Sequence, residues 1–223
     1  MKTKFLALGL AACCFTAPVA AQEITGNVAL ATDYIFRGIT QTDNGPAISG
    51  GFDVESGGFY GGVWASSVDF SDDTTMELDL YGGYGFAAGG FDFDVGGIYY
   101  AYPDSPSAGG DQNFFELYGG IARSFDILSW DAKLSYSPEF YGETGPAIYL
   151  ETGLGLEIGA GITLDGRVGA SRFDDFSGAD YEDYSIGLSG TIFDNVGWGL
   201  RAHDVSGGGN ESVVLSFSQS FGG

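Results

Sequence analysis

Along most of the chain apolar and polar side chains alternate with a period of two, the repeat of an extended strand whose successive side chains point to opposite faces. The stretch FDFDVGG, Phe91 to Gly97, is representative: Phe91, Phe93 and Val95 share one face, and Asp92, Asp94 and Gly96 share the other. The alternation predicts strands near 26–38, 47–55, 59–68, 75–86, 91–102, 114–124, 128–137, 147–158, 162–173, 183–192, 196–204 and 212–221. No segment carries a helical repeat. The connections fall into two alternating kinds. One set is short: ESGG at 55–58, AAGG at 87–90, SFDI at 124–127, GAG at 159–161 and FDN at 193–195. The other set is longer and mostly acidic: ITQTDNGP, DFSDDT, PDSPSAGGDQN, PEFYGETGP, DDFSGADYE and VSGGGN. An even number of strands with short turns at one end and long loops at the other is the layout of an outer-membrane barrel.

A soluble sandwich would bury the apolar face of each strand, whereas a membrane barrel turns that face to lipid and keeps the polar face inside. The depth of the aromatics separates the two. On the apolar phase, Tyr84, Phe86, Phe91, Phe93, Trp130, Trp198 and Phe221 fall near the short-turn ends, and Tyr34, Phe36, Tyr99, Phe115, Tyr136 and Tyr184 near the long-loop ends. Between them come aliphatics such as Leu80, Val95, Leu117, Leu134, Leu150, Leu154, Val168, Ile186 and Leu200. Two aromatic belts around an aliphatic band match the two lipid interfaces. A globular core would mix aromatics through its depth. Arg123 and Arg172 break the phase, but each lies at a strand end, where a long side chain reaches the headgroups. The predicted fold is therefore all-β, a transmembrane antiparallel up-and-down β-barrel of about twelve strands.

Composition narrows this further. The opening MKTKFLALGLAACCFTAPVAAQE has Lys2 and Lys4, an apolar run from Phe5 to Phe15 and small residues before Gln22. It reads as a signal peptide over 1–21, which leaves 22–223 as the barrel domain. Taking Leu10-Ala11-Ala12-Cys13 as a lipoprotein cleavage box would leave only a very short apolar middle. Both cysteines, Cys13 and Cys14, fall in that leader, so no disulfide, thiolate metal site or cysteine nucleophile is expected beyond it. After residue 21 no apolar run is long enough for a membrane helix, because carboxylates or glycines interrupt every candidate, and a closed barrel is the other structure that satisfies its backbone in lipid. The chain has 30 acidic residues against 8 basic ones, two of them in the leader, a balance that argues against binding nucleic acid and for attracting cations.

The segment VALATDYIFRGITQTDNGPAISGGFD, Val28 to Asp53, is the most distinctive in the chain. Together with FYGGVWASSVDF (59–70), ELDLYGGYGF (77–86) and IYYAYP (98–103), it resembles the TorF family of porins. The likeness is carried by the first half; the second half shows only generic alternation. It implies an outer-membrane barrel with channel activity and brings no catalytic residues or cofactor with it.

The chemistry must then lie in the lumen, for which twelve strands imply a backbone radius of roughly 12 Å. The inward phase holds Asp33, Asp53, Glu77, Asp79, Asp92, Asp94, Glu116, Asp131, Glu151, Glu157, Asp165 and Asp183, with Arg37, Lys133, Arg167 and Arg201 against them. Such acids must line water or pair across the lumen, and the cations suffice for only four of them. An acidic wall favours cations. Acidic outer loops would add a negative funnel that weakens as salt rises. Many inward positions are glycine, including Gly83, Gly96, Gly153, Gly169 and Gly187, which suggests a narrow aqueous passage, although glycine also eases tight curvature. Arg37 is expected near the loop end facing carboxylates, either narrowing the pore or forming a structural ion pair.

A hydrolase reading fares less well. His203 is the only histidine, Asp204 beside it points to the opposite face, and Ser206 belongs to a glycine-rich loop. No zinc or phosphate-loop motif appears, and no cofactor is expected. The reading is a non-enzymatic, cation-preferring diffusion channel for small hydrophilic solutes. Its expected pore lining is Asp33, Arg37, Asp53, Glu77, Asp79, Asp92, Asp94, Glu116, Asp131, Lys133, Glu151, Asp165, Arg167 and Arg201. Its expected partners are outer-membrane lipids and lipopolysaccharide, the permeant solutes or cations, and the barrel-assembly machinery, with no nucleic acid. The alternative is a non-conducting surface barrel whose loops bind a ligand or bridge lipopolysaccharide through divalent cations. The loop with Asp174, Asp175, Asp180, Glu182 and Asp183 is its best site, although it lacks calcium-loop spacing.

Overall fold

The computed structural model describes residues 23–106, 111–175, 177–193, 195–209 and 211–222. The expected leader, 1–21, lies outside the described residues. Among them are fourteen strands: β1 (Glu23–Ala31), β2 (Ile35–Phe36), β3 (Ile39–Thr40), β4 (Ala47–Ser56), β5 (Phe59–Ser67), β6 (Met76–Ala88), β7 (Phe91–Ala101), β8 (Phe114–Phe125), β9 (Leu128–Ser137), β10 (Ala147–Gly159), β11 (Ile162–Phe173), β12 (Tyr181–Ile192), β13 (Val196–Val205) and β14 (Ser212–Gly222). All but β2 and β3 join one antiparallel sheet, each strand pairing with its neighbour in sequence. β14 closes on β1, with Ala29 opposite Ser218 and Leu30 opposite Phe217. The result is a closed barrel of twelve strands with no free edge.

The register is pinned at the turn end. Gly57-Gly58 and Gly89-Gly90 are two-residue hairpin turns in which both residues have positive φ (58° and 87°, 61° and 83°). That geometry matches the twist of the flanking strands and is open to glycine at little cost. Ala160-Gly161 repeats it with φ of 54° and 72°. The six long loops gather at the opposite, loop end.

The outer wall is apolar. Leu30, Phe52, Val63, Leu80, Val95, Leu117, Leu134, Leu150, Leu154, Val168, Ile186, Leu200 and Leu215 are all exposed. Monomeric soluble proteins do not present an apolar surface that runs round the whole molecule, whereas hydrocarbon requires one. Tyr99, Phe115, Tyr136 and Tyr184 ring its loop end, and Phe86 and Phe221 its turn end. Arg123 lies over the rings of Phe91 and Phe125 at the turn end, 4.7 and 4.8 Å from their centroids. Arg172 pairs with Glu182 and Asp180 at the loop end.

The first expected strand departs from its prediction. It stops at Ala31, and Tyr34 and Phe36 do not join the outer aromatic belt. The chain turns inward instead, through the β2–β3 hairpin, with Arg37 and Gly38 at positive φ (48° and 81°). Asp33 fixes this turn by accepting the hydroxyls of Thr40 and Thr42 at 2.7 and 2.9 Å. Those short-range hydrogen bonds outcompete continuation of the strand ladder.

Candidate functional site

Inside the barrel, residues 32–46 fold down into the loop end. Tyr34 donates its hydroxyl to Glu77 at 2.9 Å and meets Trp64 edge to face at 5.6 Å. Phe36 packs on Tyr100. Arg37 gives one guanidinium nitrogen to both oxygens of Glu116, at 2.8 and 2.7 Å. Its guanidinium lies 4.3 Å from the centroid of Tyr149 and 4.6 Å from that of Phe36. Tyr100, Tyr102, Ile98 and Phe114 form the buried centre of this plug, joined by Phe70, Phe140 and Tyr141 from the neighbouring loops. The loops brace one another: Thr74 donates to Gln112, which donates to Asp72. Hydrogen bonds from Thr74 and Gln112 hold the Asp72 carboxyl below its usual range, and those from Thr75 do the same for Asp104.

Expected pore residues are enclosed here. Glu77, Asp79 and Glu116 are 2%, 1% and 2% exposed, and Asp33 is also buried. Glu77 takes hydroxyls from Tyr34 and Tyr102, and Glu116 takes a third from Tyr100 in addition to Arg37. Asp79 has no such relief: its Oδ1 is buried without a hydrogen-bond partner among the described residues. In this arrangement these carboxylates do not line water, because the inward loop occupies the space that water would need.

The turn-end half is different. Arg167 bridges Glu151 and Asp131, both at 2.9 Å, and Lys133 lies 3.2 Å from Glu151. Arg201 pairs with Asp165 and donates to Ser185. Along the wall formed by β4 to β8, Tyr81 donates to Asp53, and Tyr60 donates to Asp94 at 2.8 Å and contacts Tyr118. The side chains of Asp131, Lys133, Asp165, Arg167 and Arg201 are 22–32% exposed, and Asp92 is exposed. The four lumen cations thus engage Glu116, Asp131, Glu151 and Asp165, four of the twelve expected inward acids.

The tyrosines were missed by a reading confined to charges, although Tyr60, Tyr81, Tyr100, Tyr118 and Tyr149 all lie on the inward phase. The inward glycines take their meaning from them. A Cβ at Gly62 would meet the Tyr81 hydroxyl, one at Gly83 that of Tyr60, one at Gly96 that of Tyr118 and one at Gly169 that of Tyr149. Gly153 and Gly187 lie in the same way under the guanidinium groups of Arg167 and Arg201. The expectation that these glycines line a narrow aqueous passage is therefore corrected: each of them leaves room for a long polar side chain from the next strand to lie against the wall. His203 sits on the inner face opposite Ser185 and Ser212, while Asp204 faces outward and accepts the amide of Val205. Among the described residues, no group of three or more His, Cys, Asp or Glu is arranged to hold a metal ion.

The comparisons with known proteins agree with this architecture. A family described as "Bacterial protein of unknown function (Gcw_chp)" matches residues 16–216. Among solved structures the chain is similar to the KdgM porin, with a TM-score of 0.65 at 11% identity, covering 88% of this chain and 99% of that one. It is also similar to the COG4313 outer membrane channel from Pseudomonas putida F1, with a TM-score of 0.55 at 10% identity, covering 92% and 97%. The outer membrane phospholipase A from Escherichia coli has a TM-score of 0.51 at 10% identity, covering 88% and 91%. At such identities the likeness speaks for the barrel fold alone. No curated protein is a significant match to the chain.

Proposed function

The chain belongs to the Gcw_chp family of bacterial proteins, and from that premise we propose that it is an outer-membrane, porin-like channel for small hydrophilic solutes. In this reading it prefers cations, performs no catalysis and is delivered by its 1–21 leader. The observation that carries the reading is an apolar outer wall enclosing a wetted, charged chamber at the turn end. The resemblance of residues 28–103 to the TorF porins and the porin fold of the neighbours support it. The cation preference rests on the arithmetic of the lumen, in which the four cations are already engaged and eight expected inward acids remain; Asp33, Glu77, Asp79 and Asp183 of these are buried, which leaves Asp53, Asp92, Asp94 and Glu157 for the wetted wall. Asp53 and Asp94 are among these, each held by a tyrosine hydroxyl that brings no positive charge. A wall of this kind attracts cations and repels anions.

Planar-bilayer recording in asymmetric potassium chloride tests the proposal. The expected reversal potential has the sign of cation selectivity, and anion selectivity would refute the lumen assignment. The filled loop end favors a second reading, a non-conducting surface barrel that meets lipopolysaccharide or a ligand through its loops. Silence in the bilayer under every condition, including removal of the plug contacts, would select that reading.

A further inference from the structure

The plug is anchored by a contact that has the chemistry of ligand binding. Arg37 sits at the tip of a hairpin in a left-handed conformation that a non-glycine residue adopts only at a cost. Its guanidinium is gripped by both oxygens of Glu116 and flanked by the faces of Tyr149 and Phe36. A carboxylate with aromatic faces suits the flat, forked guanidinium group, which pairs through its edge and stacks through its face. The chamber is also underfilled with positive charge. Asp79 feels both Glu77 and Glu116, is 1% exposed, and keeps one oxygen buried without a partner. Three enclosed carboxyls therefore face one cation. The absence, among the described residues, of a metal-holding cluster makes an organic cation the better occupant.

We propose that Arg37 is an internal stand-in for a small guanidinium-bearing solute, and that the Glu116 socket is a binding site for that class of cation. The binding of such a solute displaces the 32–46 loop and opens the loop end. This deepens the channel reading and rests on it for the opening step, whereas the binding step can be tested alone.

The experiment uses the full mature chain folded in detergent, with methylguanidinium chloride as the probe and potassium chloride at equal ionic strength as the control. Arg37→Ala vacates the socket, so calorimetry should show saturable methylguanidinium binding at least about tenfold tighter than in the native chain, where Arg37 competes. Adding Glu116→Gln to Arg37→Ala should abolish it. Absence of saturable heat in Arg37→Ala, or heat unaffected by Glu116→Gln, overturns the proposal. If Arg37→Ala does not fold, the native chain decides: saturable heat that Glu116→Gln removes supports the socket, and its absence overturns it. In bilayers, methylguanidinium should raise the open probability of the native chain, and Arg37→Ala should be open without it. Binding by calorimetry with silent bilayers defeats the channel reading and leaves the socket standing; conduction without binding does the reverse.

Discussion

The two halves of the lumen are built from the same side chains and treat them in opposite ways. At the loop end, Glu77, Asp79 and Glu116 are sealed from water by an inward loop; Glu77 and Glu116 depend on tyrosine hydroxyls and one arginine, and Asp79 keeps one oxygen without a partner among the described residues. At the turn end, Asp131, Asp165 and their cations remain partly wetted and form a ladder of ion pairs along β9 to β13. A carboxylate in a barrel is thus not by itself a pore residue; whether a neighbouring segment excludes water from it decides its part. In the enclosed half, a polar group must be paired or it costs stability; in the wetted half, water substitutes for a lost partner.

Substitutions that cut matching contacts in the two halves should therefore have unequal effects. The largest is expected for Glu116→Gln, which strands the Arg37 guanidinium in an enclosed site. A loss of about 3–5 kcal/mol is expected in denaturant unfolding from detergent, with the Arg37→Ala/Glu116→Gln pair losing less than the sum of the two single changes. Next is Tyr102→Phe, which leaves one oxygen of buried Glu77 without its donor and should cost about 1–3 kcal/mol by the same measurement. Gly169→Ala places a methyl group against the Tyr149 hydroxyl and Asp183, for an overpacking loss of about 1–3 kcal/mol. The smallest is Lys133→Ala in the wetted ladder, at about 1 kcal/mol or less. Equal losses for Glu116→Gln and Lys133→Ala would erase the distinction between the halves.

How much of this could be read in the sequence follows from the range of each interaction. The barrel strands were legible because a period of two and Gly-Gly turns are local signals, as Gly57-Gly58 and Gly89-Gly90 illustrate. The inward turn after Ala31 was not. Asp33, Tyr34, Phe36 and Arg37 continue the alternation of a strand, and the chain is reversed by contacts with residues further on: the hydroxyls of Thr40 and Thr42 on Asp33 and the pairing of Ile35 and Phe36 with Thr40 and Ile39. The Arg37–Glu116 contact joins residues 79 apart in the chain, so no local pattern announces it. The partners of the carboxylate phase were sought among charges alone. Tyr60 and Tyr81 carried the missing signal, a hydroxyl on the inward phase beside a glycine on the next strand.

The division of the lumen is tested most directly by thiol accessibility, which is clean here because the only cysteines, Cys13 and Cys14, fall within the proposed leader. Asp94→Cys and Asp79→Cys each place one thiol on the inner wall, in the turn-end and loop-end halves respectively. With a charged, water-soluble maleimide on folded protein, Asp94→Cys should be labelled rapidly and Asp79→Cys should stay protected until the chain is unfolded. Equal labelling of both in the folded protein would contradict the sealed loop end and the account built on it.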